Sequence, residues 1–407
     1  MYSEKSPNRK DHESEKNVGY VVPRKSRMFQ KQKGDPMKTC HKVIFGNAAN
    51  NIKETKDGSI DLMVTSPPYP MIEMWDEIFA KQNPAICEAL EKKDGNKAFE
   101  LMNKELDKVW KESYRVLRDG GFACINIGDA TRKIGEEFKI YSNHSRILQY
   151  CLKLGFSSLP EILWRKQTNA PNKFMGSGML PAGAYVTLEH EFILILRKGN
   201  KRTFVNKEDK LRRQKSTFFW EERNVWFSDV WENLKGAKQN SVDKKIRERS
   251  GAYPFELAYR LINMFSLRED TVLDPFLGTG TTSLAAIATG RNSLGVEIDP
   301  NFKKHLFLRF KNAVDFSNEF LENRMINHLS FVQERIKTNG KLGYTSKVYG
   351  FPVMTSQETE IIFDELSKME EKEDLIEIEC KEKPTFQFVK GALVEKGKSL
   401  TDWISSN

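Results

Sequence analysis

The sequence predicts an α/β fold with an open sheet, and two stretches of the chain carry that prediction. The first is the apolar run 58–64, which has the pattern of a buried strand and leads to Pro67 and Pro68. Because proline has a fixed φ and no N–H to donate, the chain must leave the sheet there as a rigid loop. The second is 271–299, where a strand, a glycine turn, a helix and a strand ending in an acid follow one another, as in nucleoside-binding βαβ units. Ligands of open α/β sheets bind at the carboxyl ends of strands, so the site is expected there.

The remaining elements follow from hydrophobic spacing. Short apolar runs predict further strands at 42–45, 122–127, 161–164 and 192–196. Apolar residues at helical spacing predict helices over 99–117, 145–154 and 255–265. Gly120 and Gly121 are expected to end the first helix, Gly155 the second, and Pro254 to open the third. The stretch near Ile361 to Ile378 is rich in Lys and Glu and is also expected to be helical.

Composition narrows the class of protein. The 407 residues suffice for one large domain with appendages or for two domains, and a formal charge of +9 suits a polyanionic partner. The cysteines are scattered without a C-x-x-C pair, which predicts neither a disulfide framework nor a metal site and favours a reducing, cytoplasmic location. The amino terminus lacks the apolar core of a signal peptide, and no apolar run is long enough to cross a membrane.

A basic and aromatic segment follows the strand at 192–196. Its candidate phosphate contacts are Lys201, Arg202, Arg212, Arg213 and Lys215. They are interleaved with or followed by the aromatic residues Phe204, Phe218, Phe219, Trp220, Trp226, Phe227 and Trp231. Basic side chains neutralise phosphates and aromatic rings stack on bases, so the segment predicts a nucleic-acid contact. The alternative is a basic, solvated face over a small aromatic core.

The rigid loop reads Ser66-Pro67-Pro68-Tyr69 and resembles the catalytic motif of the amino-group DNA methyltransferases. These enzymes move a methyl group from S-adenosylmethionine to the exocyclic N4 of cytosine or N6 of adenine. An exocyclic amine is a poor nucleophile, so the site must accept its N–H hydrogens; the Ser66 side chain and the Pro67 carbonyl are the candidate acceptors. Tyr69 would stack on a base taken out of the duplex. The alternative is that Pro67 and Pro68 only punctuate a loop.

The glycine turn reads Asp274-Pro275-Phe276-Leu277-Gly278-Thr279-Gly280-Thr281-Thr282 and resembles the adenosylmethionine motif of the same family in its beta order. An NAD dehydrogenase is the rival, but the turn lacks the third Gly or Ala of the dinucleotide fingerprint. The resemblance implies that Asp274 lies near the ammonium group of the cofactor, Phe276 packs beside the cofactor, and Glu297 holds its ribose. The full set of expected cofactor contacts is Asn47, Thr65, Asp274, Pro275, Phe276, Gly278, Gly280, Thr281 and Glu297.

The Pro-Pro motif precedes the glycine turn, which resembles the permuted beta order. The resemblance covers about residues 40 to 312. It implies a Rossmann-like, adenosylmethionine-dependent methyltransferase fold, circularly permuted, with a mixed seven-stranded sheet and a target-recognition insertion. The expected divisions are a flexible basic arm at 1–38, the catalytic half at 39–196, the target-recognition region at 197–250, the cofactor half at 251–312 and an accessory region at 313–407.

The expected function is methylation of cytosine N4 in double-stranded DNA, because the serine form of the motif resembles cytosine-N4 enzymes more often than adenine-N6 enzymes. The protein would be the modification half of a restriction-modification pair. The cognate restriction endonuclease would act on the same site and need not bind the protein. Adenine-N6 methylation, RNA or protein methylation, and a non-catalytic DNA-binding regulator remain as alternatives. No metal is required, and the sequence leaves the oligomeric state open.

Overall fold

A computed structural model describes residues 37–166, 175–176, 179–234, 253–372 and 375–381. The strands in this part of the chain are β1 (Lys38–Phe45), β2 (Ile60–Thr65), β3 (Leu117–Ile127), β4 (Ala130–Ile134), β5 (Glu137–Tyr141), β6 (Phe156–Ser158), β7 (Ile162–Arg165), β8 (Met175–Gly176), β9 (Ala184–Tyr185), β10 (His190–Lys198), β11 (Val230–Trp231), β12 (Thr271–Asp274), β13 (Asn292–Glu297), β14 (Tyr344–Thr345), β15 (Pro352–Val353), β16 (Leu366–Lys372) and β17 (Leu375–Cys380).

The helices in the same part are α1 (Ala48–Asn51), α2 (Asp76–Gln82), α3 (Ala85–Glu91), α4 (Gly95–Val116), α5 (Asn143–Leu154), α6 (Lys207–Lys215), α7 (Trp220–Trp226), α8 (Phe255–Phe265), α9 (Thr281–Ala288), α10 (Lys303–Lys311) and α11 (Ala313–Asn339). The predicted flexible arm, apart from residues 37 and 38, and most of the second half of the predicted target-recognition region lie outside the described residues. No helix of the described residues has the length and apolar character needed to span a membrane.

One mixed sheet runs through the described residues. It has 11 strands in the order β11-β7-β10-β3-β2-β12-β13-β1-β17-β16, with β6 paired to β10 off this path. The strands predicted from the sequence are the contiguous centre of this order, β7-β10-β3-β2-β12-β13-β1. Strands β3, β2, β12, β13 and β1 are parallel to one another, whereas β10 is antiparallel to both its neighbours, β3 and β7. The α/β prediction is confirmed, but the predicted seven-stranded sheet is extended to 11 strands by β11, β6, β17 and β16.

The sheet is covered by helices on both faces. Leu62 and Val64 of β2 pack with the apolar residues of α8 and α11, whereas Met63 between them packs on the other face with α4 and α5. This alternation is the period-two pattern of a strand that is buried on both sides. The carboxyl ends of β1, β2, β12 and β13 therefore lie at one edge of a fully covered sheet, where a ligand can reach them only from the end of the strands.

Two local predictions were wrong. The helix α4 ends at Val116, so Gly120 and Gly121 do not close it but lie inside β3. The stretch predicted to be helical near Ile361 to Ile378 forms the hairpin β16–β17 instead, and β17 pairs antiparallel with β1. The side chains that alternate inward along β17 are buried, while the intervening glutamates are not. This period-two pattern is typical of a strand, and it was a better indicator here than the Lys and Glu content, which suggested a helix.

The carboxyl-terminal hairpin β16–β17 belongs to the main sheet. Because β16 and β17 extend the main sheet beyond β1, the described part of 313–407 shares the sheet of the predicted catalytic and cofactor halves. Leu366, Ile376 and Ile378 pack in one cluster with Leu284 of α9 and Phe310 of α10. This region is therefore part of the same core.

Candidate active site

A cavity of about 290 Å³ opens at the carboxyl ends of β1, β2, β12 and β13. All but two of the predicted catalytic and cofactor-binding residues line it: Asn47, Ser66, Pro67, Pro68, Tyr69, Asp274, Pro275, Phe276, Gly278, Thr281 and Glu297. The two exceptions, Thr65 and Gly280, adjoin lining residues in the chain. The fold thus brings together the two motifs that stand far apart in the sequence.

The glycine turn between β12 and α9 has a backbone that other residues rarely adopt. Gly278 has φ of 53° and Gly280 has φ of 79°, both left-handed. A Cβ atom on Gly280 would also lie 2.6 Å from Leu306 Cδ2, so the close packing of α10 excludes a side chain there. At Gly278 a Cβ atom would meet only the Phe276 carbonyl, at 3.9 Å. The backbone of Gly278 is therefore open to the cavity.

A buried carboxylate ties this turn to the next strand. The Gly278 N–H donates to Glu297 Oε2 at 2.7 Å and the Asp299 N–H donates to Oε1 at 2.8 Å. Each oxygen keeps a second acceptor position. Burial raises the pKa of Glu297 to about 7, although the two backbone donors favour its charged form. Glu297 is thus suited to accept hydroxyl groups from a ligand.

Asp274 is the second buried carboxylate of the cavity. Thr65 Oγ1 donates to Asp274 Oδ1 at 2.6 Å, and the Phe276 N–H donates to the same oxygen at 3.1 Å. Burial raises the pKa of Asp274 to about 6. Two carboxylates in a cavity that also exposes the Phe276 ring suit a ligand with hydroxyl groups, a cationic group and a flat apolar part.

Arg309 supports the glycine turn from α10. Its Nη1 donates to the Thr279 carbonyl at 2.9 Å, to Thr279 Oγ1 at 3.0 Å and to Thr281 Oγ1 at 3.2 Å. Burial lowers the pKa of Arg309. Arg309 was not predicted as a site residue, because nothing in a helix pattern shows that one of its basic side chains turns inward.

The Pro-Pro loop is held by side chains from other strands and helices. Buried Asn143 donates through Nδ2 to the Pro70 carbonyl at 3.1 Å and to the Gly128 carbonyl at 3.0 Å. Met71, at the end of the loop, has φ of 69°, which is uncommon for a residue with a long side chain. The loop is thus fixed at its far end as well as at its prolines.

Tyr69 is the centre of a polar network. Ser66 Oγ donates to the Tyr69 hydroxyl at 3.1 Å, and that hydroxyl donates to Glu191 Oε2 at 2.9 Å. Asn126 Nδ2 donates to the Tyr69 hydroxyl at 2.9 Å and to Glu191 Oε2 at 2.6 Å. Lys166 Nζ donates to Glu191 Oε1. Burial, followed by the charge of Glu191, raises the pKa of Tyr69 well above its ordinary value.

Sequence reasoning missed Asn126, Lys166 and Glu191 as site residues. Trp164 and Glu191 are register partners, so the predicted strands at 161–164 and 192–196 are neighbours in the sheet, as β7 and β10. The available signal was an Asn inside the apolar run of β3 and a Glu at the start of the apolar run of β10. Polar residues inside buried strands need partners, and these two are each other's.

The predicted DNA contacts lie away from the cavity lining. Arg202 and Arg212 both bond to Asp270, which is 1% exposed. Lys201 and Arg213 are exposed, and the Arg213 guanidinium lies 4.9 Å from the centre of the Phe204 ring. Lys215 is half-buried. The contact of these residues with DNA stays a prediction, and two of them have a structural partner.

The aromatic residues of this segment divide in the same way. Phe219, Trp226 and Trp231 are buried and belong to the core cluster that contains Leu257 and Tyr259 of α8. Phe227, by contrast, is 48% exposed. The alternative of a small aromatic core therefore holds for Phe219, Trp226 and Trp231.

Comparisons with known proteins agree on one class. A family model described as DNA methylase, of the N6/N4 type, matches residues 60–308. The Type II methyltransferase M.MthZI of Methanothermobacter thermautotrophicus is 53% identical over 326 residues, covering 80% of this chain and 90% of the relative. The Type II methyltransferase M.MjaI of Methanocaldococcus jannaschii is 49% identical over 299 residues, covering 70% of this chain and 97% of the relative.

A solved structure shares the architecture. It is that of TTHA0409, a proposed DNA modification methylase of Thermus thermophilus, in complex with S-adenosyl-L-methionine. The two proteins are 32% identical, and the superposition has a TM-score of 0.51 and covers 67% of this chain and 95% of the other.

Proposed function

Because this chain belongs to the N6/N4 DNA methylase family, we propose that it methylates the exocyclic N4 of cytosine in duplex DNA. The chain is a DNA methyltransferase whose cofactor is S-adenosylmethionine. We also propose the permuted beta order for its two motifs and the residue roles given below. Relatives named Type II methyltransferases support a place in a restriction-modification pair, with a cognate endonuclease acting on the same site.

The observation that carries the proposal is that two differently built loops share one cavity. Thr65 and Asp274 are 209 positions apart in the chain, yet they are joined by a hydrogen bond of 2.6 Å at the ends of neighbouring parallel strands. The Pro-Pro loop follows the first and the glycine turn follows the second. A site that must present an amine to a methyl donor needs such an arrangement, since positioning is the main source of catalysis.

The cofactor fits the glycine-turn side of the cavity. Glu297 would accept the ribose hydroxyls and Asp274 would pair with the ammonium group, while the Phe276 ring would pack beside the cofactor. The open backbone at Gly278 leaves room for a ligand to approach. S-adenosylmethionine supplies a methyl group on a positively charged sulfur. We include Asn47 and Thr65 on this side, Asn47 because it lines the cavity and Thr65 because it bonds to Asp274.

The target amine belongs on the Pro-Pro side. The Ser66 side chain and the Pro67 carbonyl would accept its two N–H hydrogens, which favours the pyramidal nitrogen that attacks the methyl carbon. The Tyr69 ring would stack on the base. Its hydroxyl is held by Asn126 and Glu191, which fixes the position of the ring beside the cavity. A base can reach this side only when it is rotated out of the duplex.

The choice of cytosine rests on Ser66, since a serine at this position is the form met more often in cytosine-N4 enzymes. The experiment is incubation of the protein with plasmid DNA and methyl-labelled S-adenosylmethionine, followed by digestion to nucleosides. We expect the label in N4-methylcytosine. Label in N6-methyladenine would move the proposal to the adenine enzymes, and the absence of label from any DNA would favour the DNA-binding regulator.

We also propose that the exposed residues Lys201 and Arg213 bind DNA phosphates. Replacing both by Ala should reduce the slope of log Kd against log salt by roughly two, because each phosphate that is no longer neutralised lowers the slope by about one. The matched control is Lys311→Ala together with Lys341→Ala, which removes the same charge at exposed positions outside the predicted target-recognition region. An unchanged slope in the Lys201 and Arg213 variant would place the recognition surface in another part of the chain.

A further inference from the structure

The hydrogen bonds around Tyr69 run in one direction. Ser66 donates to the Tyr69 hydroxyl and Tyr69 donates to Glu191, with donor–acceptor distances of 3.1 and 2.9 Å. Ser66 lines the cavity, and the chain of donors leads from it to a carboxylate that is 8% exposed. Such an ordered row of hydroxyl groups ending in a base is the geometry of a proton wire.

We propose that Ser66, Tyr69 and Glu191 form a relay that takes the proton released by the target amine. The inference rests on the proposed amine methylation and adds to it a destination for the proton. Ser66 touches the amine, and Tyr69 and Glu191 act through Ser66.

The chemistry requires such a destination. The amine nitrogen forms a bond to the methyl carbon, the carbon–sulfur bond breaks, and its electron pair stays on sulfur. The nitrogen then carries one proton too many. This proton passes to Ser66 Oγ while the Ser66 proton passes to the Tyr69 hydroxyl and the Tyr69 proton passes to Glu191. The balance is a neutral methylated amine, unchanged Ser66 and Tyr69, and a protonated Glu191.

A serine needs this arrangement more than a carboxylate would. A serine hydroxyl accepts a proton only if it gives up its own at the same time, so it requires an acceptor behind it. The Ser66 hydrogen already points at Tyr69, which leaves the Ser66 lone pairs free to accept from the amine. The same hydrogen bond therefore orients Ser66 for binding and for proton transfer.

Tyr69 is suited to pass a proton without becoming an anion. Burial and the nearby Glu191 carboxylate raise the pKa of Tyr69 well above its ordinary value, so the hydroxyl stays protonated at neutral pH. Asn126 donates to both the Tyr69 hydroxyl and Glu191 Oε2 and keeps them in line. The NH₂ group of Asn126 must face Tyr69 and Glu191, because a carboxylate can only accept a hydrogen bond and the amide oxygen cannot donate one.

Glu191 also has a way to lose the proton. Its second oxygen accepts from Lys166, whose side chain is 42% exposed. Water at the exposed end of Lys166 can therefore take the proton between turnovers. The ammonium of Lys166 also compensates the charge of Glu191 while the relay waits for substrate.

The test uses Tyr69→Phe, which keeps the ring but breaks the relay, and Glu191→Gln, which removes the final acceptor. Each should lower the single-turnover rate of DNA methylation by about 10²-fold, the usual contribution of a general base. The double variant should be no slower than the single ones, because both break one path. Equilibrium affinity for DNA and for S-adenosylhomocysteine should stay within about twofold, as neither change removes the stacking ring or a cofactor contact. The matched controls are Tyr344→Phe and Glu189→Gln, which should behave as wild type.

Two further readouts separate a relay from a structural role. The wild-type single-turnover rate should fall in D₂O with a curved dependence on deuterium fraction, since more than one proton moves, and Glu191→Gln should lose that curvature. Infrared difference spectra should show a carboxylic-acid band on methyl transfer in the wild type and none in Glu191→Gln. Wild-type rates in both variants, or a double variant slowed by the product of the single effects, would overturn the relay and leave the methyltransferase assignment intact. Failure of the wild type to methylate DNA would instead overturn the proposed function.

Discussion

The two loops of the active site are built in opposite ways, although they follow neighbouring parallel strands. The glycine turn after β12 is held mainly by parts of the chain that follow it closely: Gly278 and Asp299 donate to Glu297, and Arg309 of α10 donates to Thr279 and Thr281. The Pro-Pro loop after β2 is held by amides and a carboxylate from β3, α5 and β10. The first loop is therefore held mostly by its neighbours in the chain, whereas the second depends on the tertiary fold. The difference suits the tasks proposed for them, since a cofactor site can be rigid from the start whereas a base would have to enter the other side.

Ser66→Ala should give the largest difference between the effects on turnover and on cofactor affinity. Loss of one preorganised hydrogen-bonding group costs about 10²- to 10³-fold in turnover, while the cofactor side keeps all its contacts. The rate of DNA methylation and the Kd for S-adenosylhomocysteine are the two measurements. Ser59→Ala is the control, because Ser59 is exposed and bonds only locally to the Lys56 carbonyl. A Ser66→Ala protein that turns over at the wild-type rate would remove Ser66 from the amine site.

Gly278→Val should have the opposite effect, with cofactor binding reduced. A β-branched residue at φ of 53° is strained by roughly 1–3 kcal/mol, which corresponds to about 5- to 150-fold in affinity if the turn relaxes to another shape. Calorimetric titration with S-adenosylhomocysteine measures the loss. Gly343→Val is the control, since a Cβ atom there has nothing within 4 Å and its φ is not left-handed. Retained affinity would mean that the cofactor does not depend on this backbone shape.

The same contrast explains what the sequence could and could not reveal. The glycine turn was predictable with its carboxylates, because Asp274, Gly278 and Glu297 lie in one βαβ unit whose spacing is set by local structure. The four residues of the Pro-Pro loop were predictable because prolines fix a strand end. Its supports were not: Asn126, Asn143 and Glu191 come from elements whose place beside the loop is decided by sheet order. The seven central strands were readable from apolar runs, whereas the hairpin β16–β17 was hidden by its charged outward residues.

Asn143→Ala tests the dependence of the Pro-Pro loop on the fold. Asn143 is 0% exposed and bonds to two buried carbonyls, so its removal should lower the free energy of unfolding by about 1–3 kcal/mol. It should also reduce turnover more than cofactor affinity, because only the Pro-Pro side loses a support. Denaturant unfolding and the two functional measurements check this. Asn200→Ala, at an exposed position, should change none of them. An equal loss of turnover and cofactor affinity would mean that the two loops are mechanically one unit.

The smallest expected effect is a pH dependence that belongs to the glycine turn alone. Burial raises the pKa of Glu297 to about 7 and that of Asp274 to about 6, so lowering the pH protonates Glu297 first. A protonated carboxyl is a poorer acceptor for ribose hydroxyls and does not attract an ammonium group. Affinity for S-adenosylhomocysteine should therefore be constant above about pH 8 and fall below pH 7, by at most about tenfold per pH unit for each carboxyl.

Glu297→Gln separates the two carboxyls in that titration. The variant should bind more weakly at pH 8, and the midpoint of its fall in affinity should move from about pH 7 to about pH 6, where Asp274 is half protonated. Tyr69 adds nothing in this range, because its pKa is raised well above its ordinary value, away from neutrality. Calorimetry from pH 5 to 9 distinguishes the cases. If Glu297→Gln kept the fall in affinity near pH 7, the group that titrates would not be Glu297. The pH dependence of cofactor binding would then not belong to the glycine turn alone.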